Sequence, residues 1–203
     1  MFKKLALSAA AAALAATPAI PLQAQGGLGF SGSYKFLTAV RDRKGEDVEK
    51  ALTSPGTPIV NTKDPVTGDT ALHIVAARRD LSWLSYLIGK GARTDIQNKE
   101  GNSPLAIAAQ LGWMEGAELL LAKKAPADTA NGRGETPLIL AVQRRDLPMV
   151  RLLVSKGADP RRPDRMAGLS ALDYAKRDGR SPAIVKVLSE VKAPAKKMQG
   201  PSL

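Results

Sequence analysis

GETPLILAVQRRDLPMVRLLVSKGADP, residues 134–160, decides how the rest of the chain is read. Thr136 and Pro137 open it, Gly157 nearly closes it, and two apolar runs at helical spacing lie between them, interrupted by Arg144, Arg145 and Asp146. A capping Thr, a Pro at the first helical position and a Gly where a second helix must stop are the punctuation of a helix pair. The stretch contains no Cys and no His. Its rule is therefore an architecture and not a chemistry.

The same composition recurs along the chain. GDTALHIVAARRDLSWLSYLIGKGA (68–92), GNSPLAIAAQLGWMEGAELLLAKKA (101–125) and GLSALDYAKRDGRSPAIVKVLSEVK (168–192) align with it in register. Gly68, Gly101, Gly134 and Gly168 head the units, and Thr70, Ser103, Thr136 and Ser170 fall 33, 33 and 34 residues apart. Leu72, Leu105, Leu138 and Leu172 repeat on that beat, as do Leu87, Leu120, Leu153 and Val187. Each unit reads as a helix with small residues, a tight turn, an antiparallel helix and a loop leading to the next Gly. The second helices are expected to bury Leu84, Leu87 and Ile88, then Leu119 to Leu121, then Leu152 to Val154. Trp83 is expected in the core. Gly91 and Gly157 end their helices, whereas Lys124 occupies that position in the middle unit. No such unit buries its apolar face alone, so stability has to come from stacking.

Thr70-Ala71-Leu72-His73, Ser103-Pro104-Leu105-Ala106 and Thr136-Pro137-Leu138-Ile139, followed by Lys90-Gly91-Ala92 and Lys156-Gly157-Ala158-Asp159, resemble the Thr-Pro-Leu-His and Lys-Gly-Ala-Asp signatures of the ankyrin-repeat family. Asp95 and Asn98 match its turn before the next unit. The resemblance covers about 68 to 192 and implies an all-α solenoid of about five helix pairs. The expected divisions are a cap over 33–67, repeats over 68–100, 101–133 and 134–167, and a second cap over 168–192. It also implies that His73, the only histidine, ties adjacent loops by hydrogen bonds, and that a protein partner sits on a concave strip of loop tips and first helices. Carried over residue by residue, that strip comprises Lys99, Glu100, Asn102, Arg133 and Glu135 in the loops, with Arg78, Gln110, Leu111, Gln143, Arg144 and Arg177 at the helix ends. Trp113 joins it as an interface anchor or folds down over its own helix pair, the reading we favour.

Outside the repeats, Met1 to Lys4 carry two lysines, Leu5 to Ala16 are apolar apart from Ser8, and Thr17-Pro18 follows. That order is a secretory signal peptide over 1–24, cleaved after Ala24 or Ala19, which predicts a periplasmic protein. Residues 25–32 are expected to be a flexible leader and 193–203 a flexible basic tail. With 30 basic and 19 acidic residues the chain carries +11, and loss of Lys3 and Lys4 leaves +9. An exported basic chain meets proteins, anionic lipid and cell-wall polymers and not nucleic acid, so an acidic protein partner is expected first. Association with an anionic envelope surface, aided by Lys192, Lys196 and Lys197, is the alternative. Zero Cys excludes disulfides and thiolate metal sites, and one His leaves a transition metal without ligands. The acids at Glu46 and Asp47 read as helix-start residues favoured by the dipole. GGLGFSG (26–32) lacks the Lys of a phosphate loop. No nucleophile has a base, so neither an enzyme nor a cofactor is expected.

Overall fold

The computed structural model of the protein describes residues 28–54 and 59–191. The expected signal peptide and the basic tail lie outside the described residues. Helix α1 (Leu28–Arg41) begins inside the expected leader, so 28–32 are helical. Phe36, Leu37, Ala39 and Val40 are buried and anchor this helix. Once a turn is anchored, each further residue adds one hydrogen bond, which carries the helix back through Gly32 and Gly29.

The remaining elements alternate strictly: α2 (Gly45–Thr53), a 3-10 turn (Ile59–Asn61), α3 (Ala71–Ala77), α4 (Leu81–Gly89), α5 (Pro104–Leu111), α6 (Met114–Ala122), α7 (Pro137–Gln143), α8 (Leu147–Ser155), α9 (Ala171–Asp178) and α10 (Pro182–Glu190). Five helix pairs result, with no β-strand among the described residues. The expected caps are present: the Ser103 hydroxyl accepts from the Ala106 N–H at 3.2 Å, Thr136 from Ile139 at 3.3 Å, and Ser170 from Asp173 at 3.2 Å. Pro104 and Pro137 stand at the helix starts.

First helices pack on first helices through Ala76, Ala108, Ala109, Ala141 and Ala175, all buried. They lie against one another along more of their length than the second helices do. A stack that is tight on one side and splayed on the other curves, so the first-helix side is concave and the second-helix side convex. The core runs between them through Leu72, Leu84, Leu87, Leu105, Leu120, Leu138 and Leu153.

Several expectations about the core are corrected. Of the second-helix residues expected to be buried, Leu84, Leu87, Leu120, Leu121 and Leu153 are, whereas Ile88, Leu119, Leu152 and Val154 are half-buried, because they stand at the edge of the helix face that meets the first helices. Trp83 is only half-buried, because its ring lies beneath the Arg78 guanidinium, 5.3 Å away, and meets Tyr86 edge-on with centroids 5.8 Å apart. In the last unit the buried pair is Ile184 and Leu188, while Val187 is half-buried. Among the described residues helix α10 packs chiefly against α8 and α9, and no further helix pair follows it. It therefore turns an i, i+4 edge to the stack where the inner units use i, i+3.

The loops form a second ladder. Asp64, Asn98, Asn131 and Asp164 each fold their side-chain oxygen back onto N–H groups of their own loop. Neighbouring loops are then joined by backbone bonds: Lys99 N–H to Thr67 O at 2.9 Å, Gly132 N–H to Glu100 O at 2.8 Å, and Arg165 N–H to Arg133 O at 2.9 Å. Gly68, Gly101 and Gly134 have φ of 76°, 79° and 84°, and a Cβ on any of them would run into the backbone of the next loop. Gly168 shares the conformation, but no loop follows it and the space is open.

Candidate functional site

The structure divides the residues of the expected strip into those whose side chains are exposed and those that the stack consumes. Helix α5 ends at Leu111, where Gln110 is exposed and Leu111 half-buried. One unit on, α7 brings Gln143 and Arg144 to the surface, and α9 does the same for Arg177. At the loop tips Lys99, Glu100 and Arg133 are exposed. Seven of the expected strip residues are thus exposed, and Leu111 is half-buried.

The other four are structural. Arg78 is largely covered: its Nη1 donates to the Val40 carbonyl, its Nε lies 3.4 Å from an Asp80 carboxylate oxygen, and its face covers Trp83. It fastens the first helix pair to the second. Asn102 is buried, its backbone carbonyl accepting from His73 Nε2 at 2.9 Å and its side-chain Nδ2 donating to Glu100 Oε2 at 3.0 Å. Glu135 is buried as well and accepts from Asn131 Nδ2 at 2.9 Å, Arg133 Nε at 2.9 Å and Gln143 Nε2 at 3.1 Å. Burial pushes the Glu135 carboxyl up, but the bonds from Asn131 and Gln143 and the Arg133 charge outweigh it and hold the group below the usual carboxylate range.

Trp113 is 5% exposed, so the fold-down reading holds and an interface role for it is withdrawn. The reason is local. Asp80 and Asp146 cap α4 and α8 by accepting from Trp83 and Met149 N–H groups, whereas Trp113 stands in the equivalent place without a cap. Its ring occupies the space that Gly116 leaves vacant, since a Cβ there would fall inside the indole. Glycine three residues after the tryptophan on the same helix face was the signal in the sequence for this burial.

His73 joins two loops as expected. Nδ1 accepts from the Thr70 N–H at 3.1 Å and faces the Thr70 hydroxyl at 2.8 Å, which leaves the ring proton on Nε2 for Asn102. Burial lowers its pKa from 6.5 despite that bond, so the ring is neutral and its role is architectural.

Two features were missed in the sequence. Ile74, Ile107, Leu140 and Tyr174 repeat on the same beat and place an apolar row beside the polar strip, with Leu140 buried and the others half-buried. Second, the residue between the paired helices is left-handed in every unit: Arg43 (φ 58°), Arg79 (55°), Gly112 (66°), Arg145 (57°) and Gly179 (65°). Where it is arginine, the side chain reaches the neighbouring unit: Arg43 to Asp80 at 3.3 Å, Arg79 to the Leu111 carbonyl at 2.5 Å, and Arg145 to Asp178 through two bonds of 2.9 and 2.7 Å. Gly112 has no side chain to extend, and the Arg144 guanidinium lies over it instead.

Comparison with known proteins agrees with this geometry. A family model described as ankyrin repeats (3 copies) matches residues 36–130 and 114–198. The chain is 38% identical over 58 residues to ankyrin repeat domain-containing protein 17 of Mus musculus, covering 29% of this chain and 2% of that protein. It is 40% identical over 52 residues to the poly [ADP-ribose] polymerase tankyrase of Caenorhabditis elegans, covering 26% of this chain and 2% of that protein. Both likenesses are confined to short stretches within the repeats. The solenoid, its loop ladder and the family match together place this chain in the ankyrin-repeat family, whose repeats are generally protein–protein interaction modules and typically non-catalytic.

Proposed function

We propose that this protein is a non-catalytic binding module of the cell envelope that holds an acidic protein segment on its concave face. The observation that carries the reading is a difference among arginines. Arg41, Arg78, Arg133 and Arg145 each pair with a carboxylate of their own chain. Arg144 and Arg177 are exposed on the concave side and enter no ion pair with any described residue. A planar guanidinium free of an internal partner grips a carboxylate through two bonds. Gln110 and Gln143 supply neutral hydrogen bonding, and the half-buried Ile74, Ile107 and Tyr174 supply apolar contact. Because the stack holds this face rigid, little ordering entropy opposes binding. The envelope location rests on the lysine-headed apolar leader of the sequence.

The test is capture from periplasmic extract at moderate salt, followed by mass spectrometry, with the Arg144→Glu/Arg177→Glu variant in parallel. A protein retained by the wild type and lost, by about tenfold or more, from the variant is the expected outcome. Equal retention by both chains overturns the concave reading. Association with anionic lipid or wall polymer, the second reading, rests on the +9 charge left without Lys3 and Lys4 and on Lys192, Lys196 and Lys197, and is marked by collapse of binding as salt rises.

A further inference from the structure

The convex side carries a surface of the opposite character. Among the second helices, α4 alone has no charged residue, reading Leu81-Ser82-Trp83-Leu84-Ser85-Tyr86-Leu87-Ile88-Gly89. Its outward residues are small or apolar: Ser82 and Ser85 are exposed, Leu81 is 43% exposed, and Tyr86 is half-buried. Since α4 and α6 are splayed on this side, a groove of about 900 Å³ opens between them, floored by Leu119 and Ala122. A second depression, of about 370 Å³, lies on the α2 side of Tyr86, against Trp83. The two share Ser82 and Tyr86 and so form one apolar surface crossing α4.

The charged residues that line it are acidic, while Lys90 and Arg78 lie at its α2 end, against Tyr86 and Trp83. Glu115 and Glu118 line the α6 wall, both exposed and both without an ion pair to any described residue. Glu49 lines the α2 side, where it accepts from Tyr86 and from Lys90 at 2.8 Å. No lysine or arginine lines either depression, although the chain carries +11 overall. The groove lies open on the convex surface, which cannot bury most of a small molecule but admits the face of a helix.

We propose that this convex groove binds a basic, amphipathic helical segment of another protein, its apolar stripe on Leu81, Tyr86 and Leu119 and its lysines or arginines toward Glu115 and Glu118. The site is on the side opposite Arg144 and Arg177, so it stands or falls independently of the concave reading. The test is calorimetric titration of the full chain with a leucine–lysine model peptide of helical period, against a leucine–glutamate peptide as control. Both the chain and the first peptide are cationic, so bulk attraction opposes binding and only the local groove favours it. Binding of the leucine–lysine peptide alone is expected, weakened about tenfold or more by Glu115→Lys/Glu118→Lys and unchanged by Arg144→Glu/Arg177→Glu. Ser85→Arg, which blocks the groove from an exposed position, is expected to act like the glutamate reversal. Failure of the peptide to bind, or binding indifferent to both convex variants, overturns the proposal. So does a wild-type dimer in sedimentation that the convex variants dissolve, since a second copy would then occupy the groove.

Discussion

At the scale of single residues, glycines with the same one-letter code do different work. Gly116 exists because the Trp113 indole lies over α6, whereas Gly89 in α4 has nothing within 4 Å of where a Cβ would stand. Gly116→Ala forces the ring off its seat and is expected to destabilise by about 1–3 kcal/mol, the usual cost of overpacking. Gly89→Ala is expected to stabilise by about 0.4–1 kcal/mol through the unfolded chain. Urea midpoints at constant slope measure both. The intrinsic fluorescence of Trp113, buried in the wild type, is expected to shift red in the first variant only.

At the scale of elements, the loops and turns that link units have their own requirements. Gly101 and Gly157 both have positive φ, 79° and 89°, but only at Gly101 would a Cβ strike the adjoining loop. Gly157→Ala is expected to cost about 1–2 kcal/mol, the left-handed penalty alone, and Gly101→Ala clearly more. The converse holds at Lys124, left-handed at φ 62° in the position other units give to glycine: Lys124→Gly is expected to stabilise by about 1 kcal/mol. Chemical denaturation of the three variants side by side checks the order. His73 is the other link between units. Its folded pKa is depressed below 6.5 by burial, so the unfolded chain binds the proton more readily. Its stabilisation is complete above that value and is lost as pH falls below it. The denaturation midpoint is expected to drop as pH falls through 6.5 and below, and this slope is expected to vanish in His73→Gln. A further loss at lower pH is shared by Glu135 and the other carboxylates that are held below their ordinary range, Asp64, Asp164 and Asp173 among them, and is expected to remain.

At the scale of the whole molecule, stability is a property of the stack. Each first helix has only seven or eight residues in the repeats, below the length at which isolated helices hold in water. A peptide spanning 101–133 is accordingly expected to show no helical circular dichroism at neutral pH, whereas 33–191 is expected to unfold in one cooperative transition. Helicity in the single-unit peptide would mean that local propensity and not stacking makes the helices. The curvature of the stack gives the two faces their separate characters, with free arginines on the tight side and an acid-bordered apolar groove on the splayed side.

The period, the caps and the glycine heads were legible in the sequence, because each is a local requirement of the backbone repeated at fixed spacing, whereas the structural role of His73, the only histidine, was implied by the family resemblance. Thr136 and Pro137 begin a helix whatever lies around them. Availability for binding was not legible, because it depends on how side chains close over one another, both within a unit and from one unit to the next. Glu135 looks like a loop-tip acid until Asn131, Arg133 and Gln143 close over it. Arg78 and Arg144 hold the same position in their units, yet Arg78 is covered by the N-terminal helix pair and Arg144 is exposed over Gly112. The sequence by itself determined that the chain stacks. Only the tertiary structure decided which side chains the stacking consumes, since burial and pairing are set by neighbours that the repeat brings together in space.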